Sequence, residues 1–159
     1  MQWSKITDII LVASIAVLGV FAILGLCQCI KRKSLKKVDK PLLAMLIPLI
    51  LMAATYFIFD KFLILNTRPN GSGEPSFPST HTMVVATIFL CVAIILPRYI
   101  GSKVALITLD ILMLALTILV CVGRVLANMH WTSDVIGGLI FAAIFATIYY
   151  LIIRRKKHV

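Results

Sequence analysis

Charge is scarce in this sequence, and negative charge scarcest of all. Charged residues make up 14% of the 159, roughly half the share of an average soluble domain, about 25%. Such a shortage excludes a soluble globular domain, because the few charges gather in clusters separated by long uncharged runs. Only six residues are Asp or Glu, and no cluster of carboxylates exists to hold magnesium or zinc. Cysteine is sparse too: Cys27, Cys29, Cys91 and Cys121 all lie within or at the ends of apolar runs. No histidine stands at ligand spacing from them, and the pattern argues against both a disulfide framework and a zinc site. The four are read as small buried apolar residues.

What the chain has in quantity is hydrophobicity, at 61% of residues, with a mean hydropathy of +1.05. Ile9 to Ile30 is an uncharged run of 22 residues, long enough to cross a hydrocarbon core of about 30 Å at about 1.5 Å per residue. It is followed by Lys31-Arg32-Lys33 rather than a small-residue cleavage site, so it is read as a retained helix and not a signal peptide. Further runs cover Leu42 to Phe59, entered through Pro41 and with Pro48 inside it as a potential kink, then Thr82 to Leu96, Val104 to Val122 and Val135 to Ile153. The third becomes long enough if Ser79 to His81 form its first turn. The pattern predicts an all-α integral membrane helical bundle of about five transmembrane helices, with residues 1–159 forming one membrane-embedded domain. Asp110 is the one ionisable residue inside a run that nothing else in the sequence explains.

The net charge of +10 would suit nucleic acid, but its placement points to a bilayer and no nucleic acid. With five helices, one side collects six Lys/Arg between residues 31 and 40, Arg98, Lys103 and the four cations from Arg154 to Lys157. The other side has Lys5, Lys61, Arg68 and Arg124. The richer side is expected to be cytoplasmic and to hold the C-terminus, leaving the poorer side outward. Three of the four outward cations fall in two polar islands, Lys61 to His81 and Gly123 to Asp134, which also hold two of the three histidines. These cations run against the topological rule, and chemistry is the natural reason.

The islands offer the parts of a phosphate site. Lys61, Arg68 and Arg124 supply cations, and arginines bind phosphate oxygens bidentately. Pro78-Ser79-Thr80-His81 opens a helix with Ser79 as its N-cap, so the first-turn N–H groups and the helix dipole form an anion cradle. His130 and Asp134 are four residues apart, which places them on one helical face. A carboxylate there can hold one imidazole nitrogen and leave the other free to attack. Two histidines permit one nucleophile and one acid, and no metal or other cofactor is expected in that chemistry.

Taken one at a time, these residues have plainer explanations. A lone Lys61 or Arg124 suits an interfacial anchor, Asp134 a first-turn carboxylate, and Trp3 and Trp131 an interfacial belt. His158 lies in a basic tail. Their joint spacing resembles the three signature motifs of the type 2 phosphatidic acid phosphatase family. Lys61 to Arg68-Pro69 corresponds to the first, Pro78-Ser79-Thr80-His81 to the second, and Arg124, His130 and Asp134 to the third. The family commonly has Gly at position 80 and Ser at position 123, where this chain has Thr80 and Gly123, and its membrane members commonly have six helices.

That resemblance implies a metal-independent lipid phosphatase working through a phosphohistidine. His130 would be the nucleophile oriented by Asp134, and His81 the acid. Lys61, Arg68, Ser79, Arg124 and the amide at Thr80 or His81 would bind the phosphate. The expected substrate is a membrane lipid phosphate at the outer interface of the cell membrane. Undecaprenyl diphosphate, phosphatidic acid, phosphatidylglycerol phosphate and lipid A phosphates all remain open, as does the oligomeric state. A non-catalytic phosphate or lipid transporter is the reading from another class; a haloperoxidase is a third.

Overall fold

The structure, a computed structural model, describes residues 2–154. Arg155, Lys156, Lys157 and His158, which the sequence reading assigns to the cytoplasmic cation cluster and basic tail, lie outside the described residues. The protein is a helical bundle with α1 at Gln2–Arg32, α2 at Lys40–Ala44, α3 at Leu46–Lys61, α4 at Thr80–Ile95, α5 at Lys103–Leu126 and α6 at Thr132–Arg154. Among the described residues, five segments are long and apolar enough to cross a membrane, α2 and α3 together making one of them. Large apolar side chains such as Ile9, Val12, Ile50, Val104 and Ile111 are exposed around the outside, which is the surface a multi-pass membrane protein turns towards lipid.

Two boundaries differ from the sequence reading for physical reasons. Helix α1 begins at Gln2 rather than Ile9. An uncharged run marks where a helix crosses hydrocarbon, and nothing in Lys5 or Asp8 stops it from continuing into the headgroup layer. The second span breaks at Met45, three residues before Pro48. Proline has no N–H to give the carbonyl of Ala44, so the helix is interrupted one turn upstream.

Helix α4 is the centre of the bundle, with α1, α3, α5 and α6 packed around it. Ten of its sixteen residues are buried. Its closest neighbour is α6, which presents Gly138, Ala142 and Ala146 to the interior. Small residues at four-residue spacing let two helix backbones approach, the usual basis of helix association in lipid. A Cβ at Gly138 would stand 3.0 Å from the Ser79 carbonyl and 3.2 Å from the Met83 nitrogen, and a Cβ at Gly137 would overlap the Phe77 ring. This glycine pair therefore brings the start of α6 against the start of α4, where the two polar islands meet. Gly138→Leu is expected to force the helices apart, costing about 1–3 kcal/mol as overpacking does and at least about tenfold in activity. Thermal unfolding in detergent, with phosphate release on the same sample, checks this.

The opposite end is tied down separately. Asp39 accepts hydrogen bonds from Arg32 Nη1 at 2.9 Å and Gln28 Nε2 at 2.7 Å, and the buried Tyr149 hydroxyl donates to the Pro41 carbonyl at 3.1 Å. The cysteines are less uniform than expected: Cys91 is buried, but Cys27 is exposed, on a helix face that a bilayer would cover. Asp110 is exposed on α5 and lines a shallow groove with Thr117 and Phe89.

Candidate active site

Both polar islands converge on one cavity of about 240 Å³ at the N-terminal ends of α4 and α6. Its lining includes Arg68, Thr80, His81, Arg124 and His130, with Tyr56, Phe59 and Asp60 contributed by α3. Residues far apart in sequence are thus assembled by the α4–α6 approach and by the loop from 62 to 79.

His130 sits in the turn before α6 and is only 4% exposed. Its Nδ1 donates to the Ser76 carbonyl at 2.9 Å, which fixes the tautomer and leaves the Nε2 lone pair available. Burial, and next the Arg124 guanidinium, push its pKa down to about 4, against the weaker opposing pull of the Ser76 carbonyl and Asp134. The ring is therefore neutral at physiological pH, the state a nucleophile needs.

Asp134 does not hold this imidazole directly, as the four-residue spacing suggests it should. Its nearer oxygen is 3.9 Å from His130 Nδ1, too far for a hydrogen bond. The fully buried carboxylate instead accepts from the Trp131 N–H at 2.9 Å, Asn66 Nδ2 at 3.1 Å and the Ser76 hydroxyl. The bond back to Trp131, just ahead of α6, is that of a first-turn carboxylate closing a helix start. His130 precedes the helix, so the one-face argument for positions four apart does not hold for it. Asp134 is linked to His130 through Ser76, whose hydroxyl donates to the carboxylate and whose carbonyl accepts from the ring.

Arg68 and Arg124 are the cations that reach the cavity. Arg68 Nη1 pairs with Glu74 Oε2 at 2.8 Å, and its backbone N–H bonds the Glu74 carbonyl at 3.0 Å. Arg124 is only 3% exposed; its Nη1 approaches Thr7 Oγ1 at 3.3 Å and Asp8 Oδ1 at 3.4 Å. Both guanidinium groups keep a buried Nε without any hydrogen-bond partner. Buried unpaired donors are costly, and two at one cavity call for an anionic ligand.

Lys61 is not brought to the cavity. Consecutive helical residues point about 100° apart; Asp60 lines the cavity, so Lys61 turns outward, 63% exposed and paired with Asp60 Oδ2 at 2.8 Å. Ser79 also departs from its expected role. It stands at the N-cap position, but its side chain caps nothing; its hydroxyl pairs with Thr82 Oγ1 at 3.1 Å, and its N–H donates to the Asp134 carbonyl at 3.0 Å. The first-turn N–H groups of α4, next to Thr80 and His81, consequently keep no side-chain cap and stay open to an anion.

Several positioning residues escaped the motif reading: Thr7, Asp8, Asn66, Glu74 and Ser76. Asn66, Glu74 and Ser76 sit within the first island, where proximity alone marks them. Gly123 also gains a reason. A Cβ there would lie 2.7 Å from Thr7 Cγ2, so glycine lets α1 close on α5, and the Thr7 hydroxyl stands beside Arg124. Trp131, half exposed, donates its indole N–H to the Thr67 carbonyl at 2.8 Å, which pins the first island to the start of α6.

Comparison with known proteins finds relatives of this chain. The family model described as the PAP2 superfamily matches residues 15–158. A lipid A 1-phosphatase of Rhizobium johnstonii is 36% identical over 84 residues, covering 53% of this chain and 30% of that protein. The chain thus aligns with under a third of the length of that relative. A crystal structure of a transmembrane PAP2 type phosphatidylglycerolphosphate phosphatase from Bacillus subtilis superposes with a TM-score of 0.74 at 21% identity, covering 99% of this chain and 78% of that one.

Proposed function

Because the chain belongs to the PAP2 superfamily, we propose that the cavity hydrolyses the phosphate of a membrane lipid through a phosphohistidine on His130, with residues 1–159 acting as one membrane-embedded phosphatase domain. The observation that carries this reading is a neutral His130 with Nε2 free, sharing one cavity with two buried guanidinium N–H groups that lack an acceptor. Nε2 attacks phosphorus, and the bond to the leaving oxygen breaks with its electron pair going to that oxygen, which takes a proton from His81. Arg68, Arg124 and the amides at Thr80 and His81 hold the non-bridging oxygens as charge develops. Water then attacks the phosphohistidine and gives its proton to His81, while the N–P electron pair returns to His130 and phosphate departs. Lys61 acts at most through the field at the rim.

The size of the cavity supports a lipid substrate. At about 240 Å³ it is smaller than pockets that enclose a whole drug-sized ligand, about 300–1,000 Å³, so it takes the phosphate end alone. Tyr56 and Phe59 on α3 give it an apolar side, towards which lipid tails can extend. Membrane partition, about 0.8 kcal/mol per buried CH₂, supplies most of the affinity, and headgroup discrimination is loose. The terminal phosphate of undecaprenyl diphosphate is the favoured single role, by family analogy. The two relatives' names add lipid A 1-phosphate and phosphatidylglycerol phosphate to a panel with phosphatidic acid. All are expected to be cleaved in EDTA with higher kcat/KM than glycerol phosphate. A soluble ester as the best substrate, or activity lost to EDTA and restored by a divalent cation, would contradict the reading.

The site end is proposed to face outward, with the C-terminus cytoplasmic. Among the described residues nine cations belong to the opposite end, residues 31–40, Arg98, Lys103 and Arg154, against Lys5, Lys61, Arg68 and Arg124 at the site end. In a cysteine-free background, cysteine at Ser72 is expected to react with an impermeant reagent on intact cells, and cysteine at Ser34 is not. The reverse labelling would invert the orientation.

A further inference from the structure

We infer that Asp8, which lies outside all three motifs, is a positioning residue that holds His81 in its acid role; the inference rests on the reading of His81 given above. Asp8 is carried by the extended first turns of α1. Its Oδ1 accepts from His81 Nε2 at 2.8 Å and stands 3.4 Å from Arg124 Nη1. His81 lines the cavity and Asp8 does not, so the carboxylate lies behind the ring rather than in the phosphate's place. Its approach is built in: α1 packs on α4 and α5, and Gly123 admits Thr7, the neighbour of Asp8, to 2.7 Å of where a Cβ would be.

The chemistry follows from which nitrogen is occupied. With Nε2–H given to Asp8, Nδ1 is the nitrogen left to carry the transferable proton. Two cations, Arg124 on α5 and Arg68 in the loop, line the same cavity as the ring. Asp8 is the carboxylate bonded to it, and it offsets them while fixing the ring's orientation. As the P–O bond breaks, the Nδ1 proton passes to the leaving oxygen, whose electron pair came from that bond. Asp8 takes no part in the transfer, and the proton returns to Nδ1 from the attacking water in the second half-reaction.

The leaving group gives a readout that a merely structural role would not move. An alkyl phosphate must have its leaving oxygen protonated, whereas p-nitrophenolate departs without help. For the full-length protein in detergent, kcat/KM reports the first half-reaction for both esters. Asp8→Asn is expected to lower kcat/KM for dodecyl phosphate about 10- to 100-fold, within the range of general acid effects, and for p-nitrophenyl phosphate by less than about threefold. Asp8→Glu should recover part of the loss. His81→Ala is the reference and should show the same selectivity, more strongly. If His81→Ala is selective but Asp8→Asn weakens both esters equally, Asp8 serves Arg124 and the inference is overturned while the acid reading stands. Unchanged or increased activity in Asp8→Asn overturns it as well, the latter by making the carboxylate a lock on the cations. An equal loss on both esters in His81→Ala overturns the acid role itself.

Discussion

His130→Ala is expected to abolish phosphate release, lowering kcat by at least about 10⁴-fold, because the proposed covalent intermediate forms on its Nε2. The ring is buried, fixed through Nδ1 by the Ser76 carbonyl, and presents Nε2 to the space shared with Arg68 and Arg124. Its protonation behaviour provides a second check on the same residue. Protonation would remove the nucleophile, and an ordinary imidazole would be half lost near pH 6.5. Burial and the Arg124 charge bring that point down to about 4, so the loss due to His130 should appear only as the pH approaches that value. Titration of ¹⁵N-labelled histidine by NMR, assigned with a His130→Gln variant, should find the ring neutral at pH 6. A midpoint near 6.5 would mean that the ring is not shielded as described.

Arg124→Gln is the other large effect, expected at about 10²–10³-fold in kcat, comparable to removing one preorganised donor from a developing oxyanion. Arg124 is buried against Thr7 and Asp8 with its Nε unpaired, so its orientation is set before any ligand arrives. Arg124→Lys should recover little, since an ammonium lacks the planar fork. Inhibition by vanadate, which takes the geometry of pentavalent phosphorus, should weaken in parallel. Lys61→Ala serves as the contrast, with less than about a threefold change expected, because Lys61 pairs with Asp60 outside the cavity. A large loss in Lys61→Ala beside a small one in Arg124→Gln would reverse the assignment of the phosphate-binding cations.

The spans were legible because hydrocarbon tolerates few charges, and a run such as Val135 to Ile153 has no other stable home. The convergence of the two islands was legible from motif spacing, which places Arg68, Thr80, His81, Arg124 and His130 together as the structure does. What sequence spacing could not supply was direction. Lys61 and Asp60 are neighbours, yet only one side chain can face the cavity. The His130 to Asp134 spacing implies contact only if both residues are helical, and His130 lies in the turn. Asp8 is not legible from the uncharged runs, because such a run marks only the part of a helix that crosses hydrocarbon, and a helix can carry a carboxylate into the headgroup layer at little cost. Its signal was its rarity: one of six acidic residues, at the site-facing edge of a span. Gly137-Gly138, adjacent glycines inside a helix, likewise mark close backbone approach before any coordinates are known.

The most direct measurement is to trap the intermediate. Protein mixed with a ³²P-labelled lipid phosphate and quenched within the first turnover should carry phosphate in an acid-labile, alkali-stable bond. Peptide mapping by mass spectrometry should place it on His130, with none in His130→Ala and accumulation in a variant slowed at the second half-reaction, such as His81→Ala assayed with p-nitrophenyl phosphate. Turnover with no phosphorylated protein at any time, or label found on His81 instead, would contradict the account.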